Sequence, residues 1–395
     1  GTAITTGDNN VAIGYQALDA NTTAANNTAV GTDALGANTT GTENVAVGKD
    51  ALLLNTTGSY NTALGGYGTL DANTTANNNT AIGAGVLTVN TTGANNTSVG
   101  AYSLDANTTG DENTAVGYAA LSSNTTADNN TAMGKSALGA NTTGDTNVAV
   151  GKDSMKSNTT GTNNTACGNR TLDANTTGAQ NVAVGDMALG ANTTANDNTA
   201  VGTNALAANT SGTTNTAVGT FSMQSATTAN FNTAVGYDAG GDITTGSSNT
   251  VLGMEALSKT TTGGSNTAVG QGALNFNTTG TGNTAIGTEA LDANTTANFN
   301  TAVGSGAATA NTTGGELVAV GRNALAANTT GSSNTAVGMR ALDVNTTASN
   351  NTAVGKDALG ANTTGDTNVA VGKDSMLSNT TGTNNTACGA RTLDA

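Results

Sequence analysis

Apolar and polar residues return along this chain on a fixed beat. From Asn27 to Glu43 it reads NTAVGTDALGANTTGTE, and the next seventeen residues read NVAVGKDALLLNTTGSY. The start motif recurs in 23 copies, from Asn10 to Asn385, and every interval is seventeen except one of eighteen between Asn61 and Asn79. The consensus is N-T-A-V-G-x-x-A-L-x-x-N-T-T-G-x-x, numbered here as positions 1 to 17. A strict short period marks a solenoid, in which each copy is one coil stacked on the last. Helical repeats need roughly 30 residues per unit, so this period predicts an all-β chain. The expected fold is a β-solenoid, or parallel β-roll, of about 23 coils.

The columns of the repeat predict a core. Position 4 is apolar in every copy (Ile13, Val30, Leu64, Met133, Val184, Leu252), and position 9 is Leu or Met except at Gly240 and Ala308. Stacked at about 4.8 Å, these two columns would form apolar ladders. Position 5 is Gly throughout and marks a corner where the chain turns without a Cβ. Position 2 is Thr or Val (Thr28, Val45, Val148, Val182, Val369), and alternation puts it on the same face as position 4. Position 3 then faces the other way. It is Ala apart from Ser98 and Val251, which predicts a second buried face, covered by a neighbouring chain.

Positions 12 to 15 read N-T-T-G or N-T-T-A, with Ala226, Ile243 and Thr260 as the exceptions to Asn. Stacked Asn and Thr side chains can hydrogen-bond along the axis and satisfy turn backbone groups. Charges fall in other columns. Lys49, Lys135, Lys152, Arg322, Lys356 and Lys373 are at position 6, and Asp19, Asp105, Asp173 and Asp292 at position 10, and both columns are expected to face water. A longer echo, ALGANTTGDTNVAVGKDSM, occurs at Ala137–Met155 and again at Ala358–Met376. It implies duplicated blocks of coils. Residues 1–395 are therefore read as one continuous solenoid, a segment of a longer fibre, about 110 Å long at the strand spacing. Irregular coils are expected around 232–263, where Gly240 removes the Leu and Ile243 and Thr260 replace the Asn.

Composition narrows the function. The chain has 395 residues, 54 of them Gly, with no Pro, Trp or His and only 3% aromatics. Such a bias first suggests disorder, but disorder does not require a fixed phase. Net charge is −15 with no basic patch, which disfavours nucleic acid and anionic lipid. No apolar run approaches the roughly 18–20 residues that span a bilayer, so no membrane insertion is expected in this segment. No signal peptide is visible. With His absent and carboxylates spread, no catalytic, cofactor-binding or metal-binding residue is expected, and the chain is read as non-enzymatic.

Three motifs admit a plainer reading beside a chemical one. Cys167 and Cys388 both occupy position 4, thirteen coils or about 60 Å apart, which is beyond disulfide reach. They read as small core residues standing in for Val, with an interchain disulfide or a reactive thiol as the alternative. NTT is formally an N-glycosylation sequon, but a glycan on every coil would be crowded, so a structural Asn ladder is the better reading. Repeated Thr raises ice binding, but positions 13 and 14 are adjacent and would point to opposite sides of an extended strand.

With these columns in hand, NVAIG at Asn10–Gly14, NVAVG at Asn44–Gly48 and NTAIG at Asn283–Gly287 resemble the head repeat of YadA-like trimeric autotransporter adhesins. The longer NTAVGxxAL…NTTG string is similar to repeats of bacteriophage tail fibres. The resemblance covers the whole chain. It implies left-handed parallel β-rolls packed three to an axis. The adhesin unit is shorter, near fourteen residues, and no heptad stalk, neck, anchor barrel or tail-fibre chaperone domain is visible. The expected function is a structural shaft of a virion or cell-surface fibre, extracellular, that extends a host-binding tip. The expected partner is the chain itself, as a homotrimer, with a host-surface or glycan receptor beyond it. The alternative is a monomeric solenoid binding ice or glycans along one repetitive face.

Overall fold

The computed structural model describes residues 4–393. The chain divides into two compact units, Gly1–Asp197 and Asn198–Ala395. In the first, eleven three-residue strands run from β1 (Val11–Ile13) to β11 (Val182–Val184). In the second, twelve run from β12 (Thr199–Val201) to β23 (Thr386–Cys388). Within each unit every strand pairs in parallel with its equivalent one coil on. Thr28 lies opposite Val45 in the first unit, and Val318 opposite Thr335 in the second. The fold is an all-β parallel β-solenoid with a seventeen-residue period, as the repeat predicts. The one inserted residue costs no register: Thr62 pairs with Thr80, and the extra residue is taken up in the turn around Tyr67.

Each strand is short because position 5 ends it. Gly31 has φ of 142° and Gly100 of 121°, a region L side chains rarely adopt. A Cβ on Gly117 would also sit 2.6 Å from the carbonyl oxygen of Gly134, its equivalent one coil on. Both constraints act in coil after coil, which explains a column without exceptions. Beyond the glycine the chain takes the left-handed region at positions 7, 9 and 17, as at Asp33 (57°), Leu35 (53°) and Glu43 (59°). Such residues cost on the order of 1–3 kcal/mol each unless their surroundings hold them. Backbone ladders do so here. Leu35 N donates to the Ala51 carbonyl at 2.9 Å, and Asp50 N donates to that of Thr32 at 3.0 Å. The turns are therefore cross-linked coil to coil almost as the strands are.

The inside of the coil differs from the expected core. Position 3, not position 4, points inward: Ala46, Ala115 and Ala302 are fully buried within their own chain. Opposite them lie position 8, mostly Ala, and the Leu or Met of position 9, also buried. Positions 2 and 4 face outward. The alternation was legible, but its sense is inverted, because position 3 is small to fit a narrow interior rather than to meet a neighbouring chain.

The rest of the interior is amide. Position 1 is Asn in 22 coils, with Leu317 the exception, and position 12 is mostly Asn. Both columns are buried and hydrogen-bonded along the stack. Asn44 donates to Asn27 Oδ1 from its backbone N at 3.0 Å and from Nδ2 at 3.1 Å. Asn55 Nδ2 donates to Asn38 Oδ1 at 3.0 Å. Within one coil both side chains also converge on one carbonyl: Asn44 Nδ2 and Asn55 Nδ2 each reach Gly58 O at 2.9 Å. Buried polar groups are tolerable only when satisfied, and these ladders satisfy most of them, Asn21 Oδ1 being a buried exception.

In the coils at 232–263 the strand pairing stays in register: strands Thr233–Val235 and Thr250–Leu252 each pair with their neighbours. Gly240 holds φ of 60°, close to that of the leucines it replaces. The expected hole is filled by Ile243, whose Cδ1 lies 2.8 Å from where a Gly240 Cβ would be. The two departures from consensus therefore compensate one another. Thr260 continues the ladder, donating from Oγ1 to the Asn277 carbonyl at 2.9 Å and accepting from Asn277 Nδ2 at 3.2 Å.

Candidate functional site

The surface that stands out is the outer face of the strands. It carries positions 2 and 4, and no charged residue occurs at either in any of the 23 strands. Position 2 is Thr or Val, and position 4 is Val, Ile, Leu, Met or Cys. Their exposure is substantial: Met133 44%, Val182 38%, Leu252 49%, Ile286 40%. In-register parallel pairing lines these side chains up in two columns per unit, spaced about 4.8 Å along the stack. The face is thus free of charge, an apolar column at position 4 beside a mostly Thr column at position 2, on a chain of net charge −15.

The two edges of that face differ in charge. Positions 16 and 17, at the N-terminal edge, hold Asp8, Glu43, Asp111, Glu112, Asp128, Asp145 and Asp197 in the first unit and Glu316 and Asp366 in the second, and no Lys or Arg. Positions 6 and 7, at the C-terminal edge, hold nine of the chain's eleven cations. These stand beside acids at position 7, as in Lys49–Asp50 at 3.4 Å, Lys356–Asp357 at 3.4 Å and Arg340–Asp357 at 2.7 Å. Exposed pairs of this kind contribute about 1 kcal/mol or less each. Their interest is the polarity: one edge is purely acidic and the other mixed.

The residues singled out in the sequence fall as follows. The lysines and Arg322 of position 6 are exposed, as expected. The aspartates of position 10 are only half-exposed. Burial pushes Asp71, Asp105, Asp292 and Asp343 above the ordinary carboxylate value, and Oδ1 of Asp71 and of Asp105 is buried with no hydrogen-bond partner. Cys167 and Cys388 are exposed free thiols on the outer face, not core residues, because position 4 faces outward. The NTT asparagines are buried in the ladder in nearly every coil, so the folded chain withholds that sequon.

Thr at positions 13 and 14 does not alternate across a strand, because this segment is a bend. Both amides of Thr39 and Thr40 and the Thr39 hydroxyl donate to the single Thr56 carbonyl, at 2.9, 3.2 and 3.0 Å. Position 13 is thus tied into the ladder, while the position 14 side chain is exposed in coil after coil. That column is Thr throughout except at Ser211.

Among the described residues no group of three or more Cys, Asp or Glu could hold a metal ion, and no helix is long and apolar enough to cross a membrane. No family model matches the chain, and no curated protein does.

Proposed function

We propose that this chain is the repeat shaft of an extracellular or virion fibre, in which three copies associate through the outer strand face and hold a binding tip at a distance. The observation that carries this reading is the uncharged outer face of positions 2 and 4. A partner that covers such a face coil by coil must share its seventeen-residue, single-strand period, and another copy of the chain does. Burying the face adds apolar area to an interior that contains only one Leu per coil.

The charged edges favour one arrangement. When copies are related by rotation about an axis along the stack, the acidic edge of one meets the mixed edge of the next, where nine cations balance nine acids. In an antiparallel pair the acidic edges would meet each other, which costs energy. The copies therefore run parallel, as a cyclic trimer requires.

The test is the mass in solution by light scattering. The expected value is three times the 38.0 kDa chain mass. A folded, stable species at the chain mass would overturn the trimer and favour a single-chain solenoid that uses the same face for ice or glycans.

A further inference from the structure

We propose that Phe299 and the cleft beside it form a binding site for an uncharged sugar ring. Phe299 is at position 17 and is 68% exposed, the side chain of a residue with no structural need to be aromatic. Its ring lies over Gly282, the equivalent residue one coil back: a Cβ built there would be 2.8 Å from the ring Cδ1 and 2.9 Å from Cε1. The Cδ1–Cε1 edge of the ring therefore lies against the Gly282 backbone. The other side opens on a cleft of about 480 Å³, lined by Thr296, Asn298, Thr313, Gly315 and Glu316 besides the ring.

The notch exists because position 16 of the next coil is Gly315, where other coils carry a side chain such as Asp128, Asn230 or Asn298. Tyr60 and Phe231 share position 17 but lack this pair of glycines. Only Phe299 has a glycine beneath its ring and a glycine opening the space beyond it.

The polar groups around the ring suit a polyhydroxylated ligand. Asn298 Oδ1 accepts from Thr281 N at 2.7 Å and from Thr281 Oγ1 at 3.0 Å, so its Nδ2 remains to donate. Glu316 Oε2 accepts from Ser333 Oγ at 3.1 Å, leaving Oε1 as an acceptor. The exposed hydroxyls of Thr296 and Thr313 can do either. An apolar ring face bordered by both donors and acceptors matches the axial C–H face and equatorial hydroxyls of a pyranose. A simple cation would use the ring and the carboxylate but leave the amide donor unmatched. Asn298, Phe299, Gly315 and Glu316 occupy positions 16 and 17, on the N-terminal edge of the strand face, so sugar binding requires that edge to stay open at these coils in the associated form.

The experiment is saturation-transfer NMR on the full chain with four probes: the methyl glycosides of glucose, galactose, mannose and N-acetylglucosamine. At least one should receive saturation at its ring C–H protons. Phe299→Ala should weaken it about tenfold or more, the scale of one lost ring contact. Gly315→Asn, which restores the side chain typical of other coils, should block it. Phe231→Ala should leave it unchanged, and circular dichroism should show all three variants folded. The proposal is overturned if none of the four glycosides binds, if binding survives both Phe299→Ala and Gly315→Asn, or if Phe231→Ala lowers it equally.

Discussion

At the scale of single residues, asparagine carries the role that large apolar side chains fill in thicker proteins. Asn158 shows how much one amide holds: Nδ2 donates to Asn141 Oδ1 at 2.8 Å and Gly161 O at 3.0 Å, and Oδ1 accepts from Asn175 Nδ2 at 2.8 Å. Asn158→Ala leaves these partners unsatisfied inside the coil. The expected loss is about 1–3 kcal/mol in chemical denaturation, against near zero for the exposed Thr160→Ala two residues on. The half-buried aspartates act in the opposite sense. Burial raises Asp71 and Asp105 above their ordinary 3.8, so the folded state favours their protonated forms. Their contribution is present below pH 3.8 and is lost as pH rises through the raised folded-state value. Replacing both with Asn should raise the melting temperature at pH 7 and leave it little changed at pH 3. A rise at pH 3 as large as that at pH 7 would contradict the assignment.

At the scale of the coil, two turns can be broken for different reasons. Gly117→Ala combines φ of 134° with a clash against the Gly134 backbone, neither of which a side-chain movement relieves. It should cost roughly 3 kcal/mol, the upper range for backbone strain. Gly240→Leu meets no such backbone barrier, since Leu35 adopts a similar φ, but it collides with Ile243. Alone it should cost about 1–3 kcal/mol by overpacking. Combined with Ile243→Asn it restores the consensus and should recover most of that loss. A double-mutant cycle in urea measures the coupling, and additive losses would show that Ile243 does not fill the space.

Much of the coil was legible from the repeat: the period, the glycine corner, the Asn ladders and the position 9 leucine. What was not legible has physical causes. Alternation says that Ala29 and Val30 face opposite ways but not which faces in, and the larger apolar residue is the natural choice for a core. Here a narrow interior takes a small residue at position 3 in every coil but that of Val251, which is buried together with Leu257, so Ala29 is inside and Val30 looks out. The left-handed conformations at Leu35 and Glu43 were equally hidden, because neither residue type favours that region and only stacking imposes it, whereas Asp33 is of a type that tolerates it. Position 1 was read as part of a motif. Its role as a second buried amide column needed the Asn27–Asn44 contacts to be seen. The Phe299 cleft depends on glycines at 282 and 315, thirty-three residues apart in sequence and on the coils either side of the Phe299 coil, and no local pattern marks it.

At the scale of the whole molecule, the account turns on which column each chain keeps for itself. Parallel association makes one expectation apart from mass. Copies labelled near Gly7 with a donor and copies labelled there with an acceptor should show efficient energy transfer when mixed and reassembled. Copies labelled at opposite ends of the first unit, one near Gly7 and one near Gly185, should show much less. The reverse result would mean antiparallel pairing and would remove the argument from the charged edges.

The most direct test sets two matched variants side by side and weighs them by light scattering, with circular dichroism as the check on folding. One carries Glu at four position 3 residues, Ala115, Ala149, Ala268 and Ala302. The other carries Glu at the position 4 neighbours, Val116, Val150, Val269 and Val303. The account predicts that the first fails to fold, because each Glu is buried inside its own coil. It predicts that the second folds normally but runs at the 38.0 kDa chain mass while the parent runs at three times that value. A position 4 variant that keeps the parent's mass, or a position 3 variant that folds and merely dissociates, would contradict it.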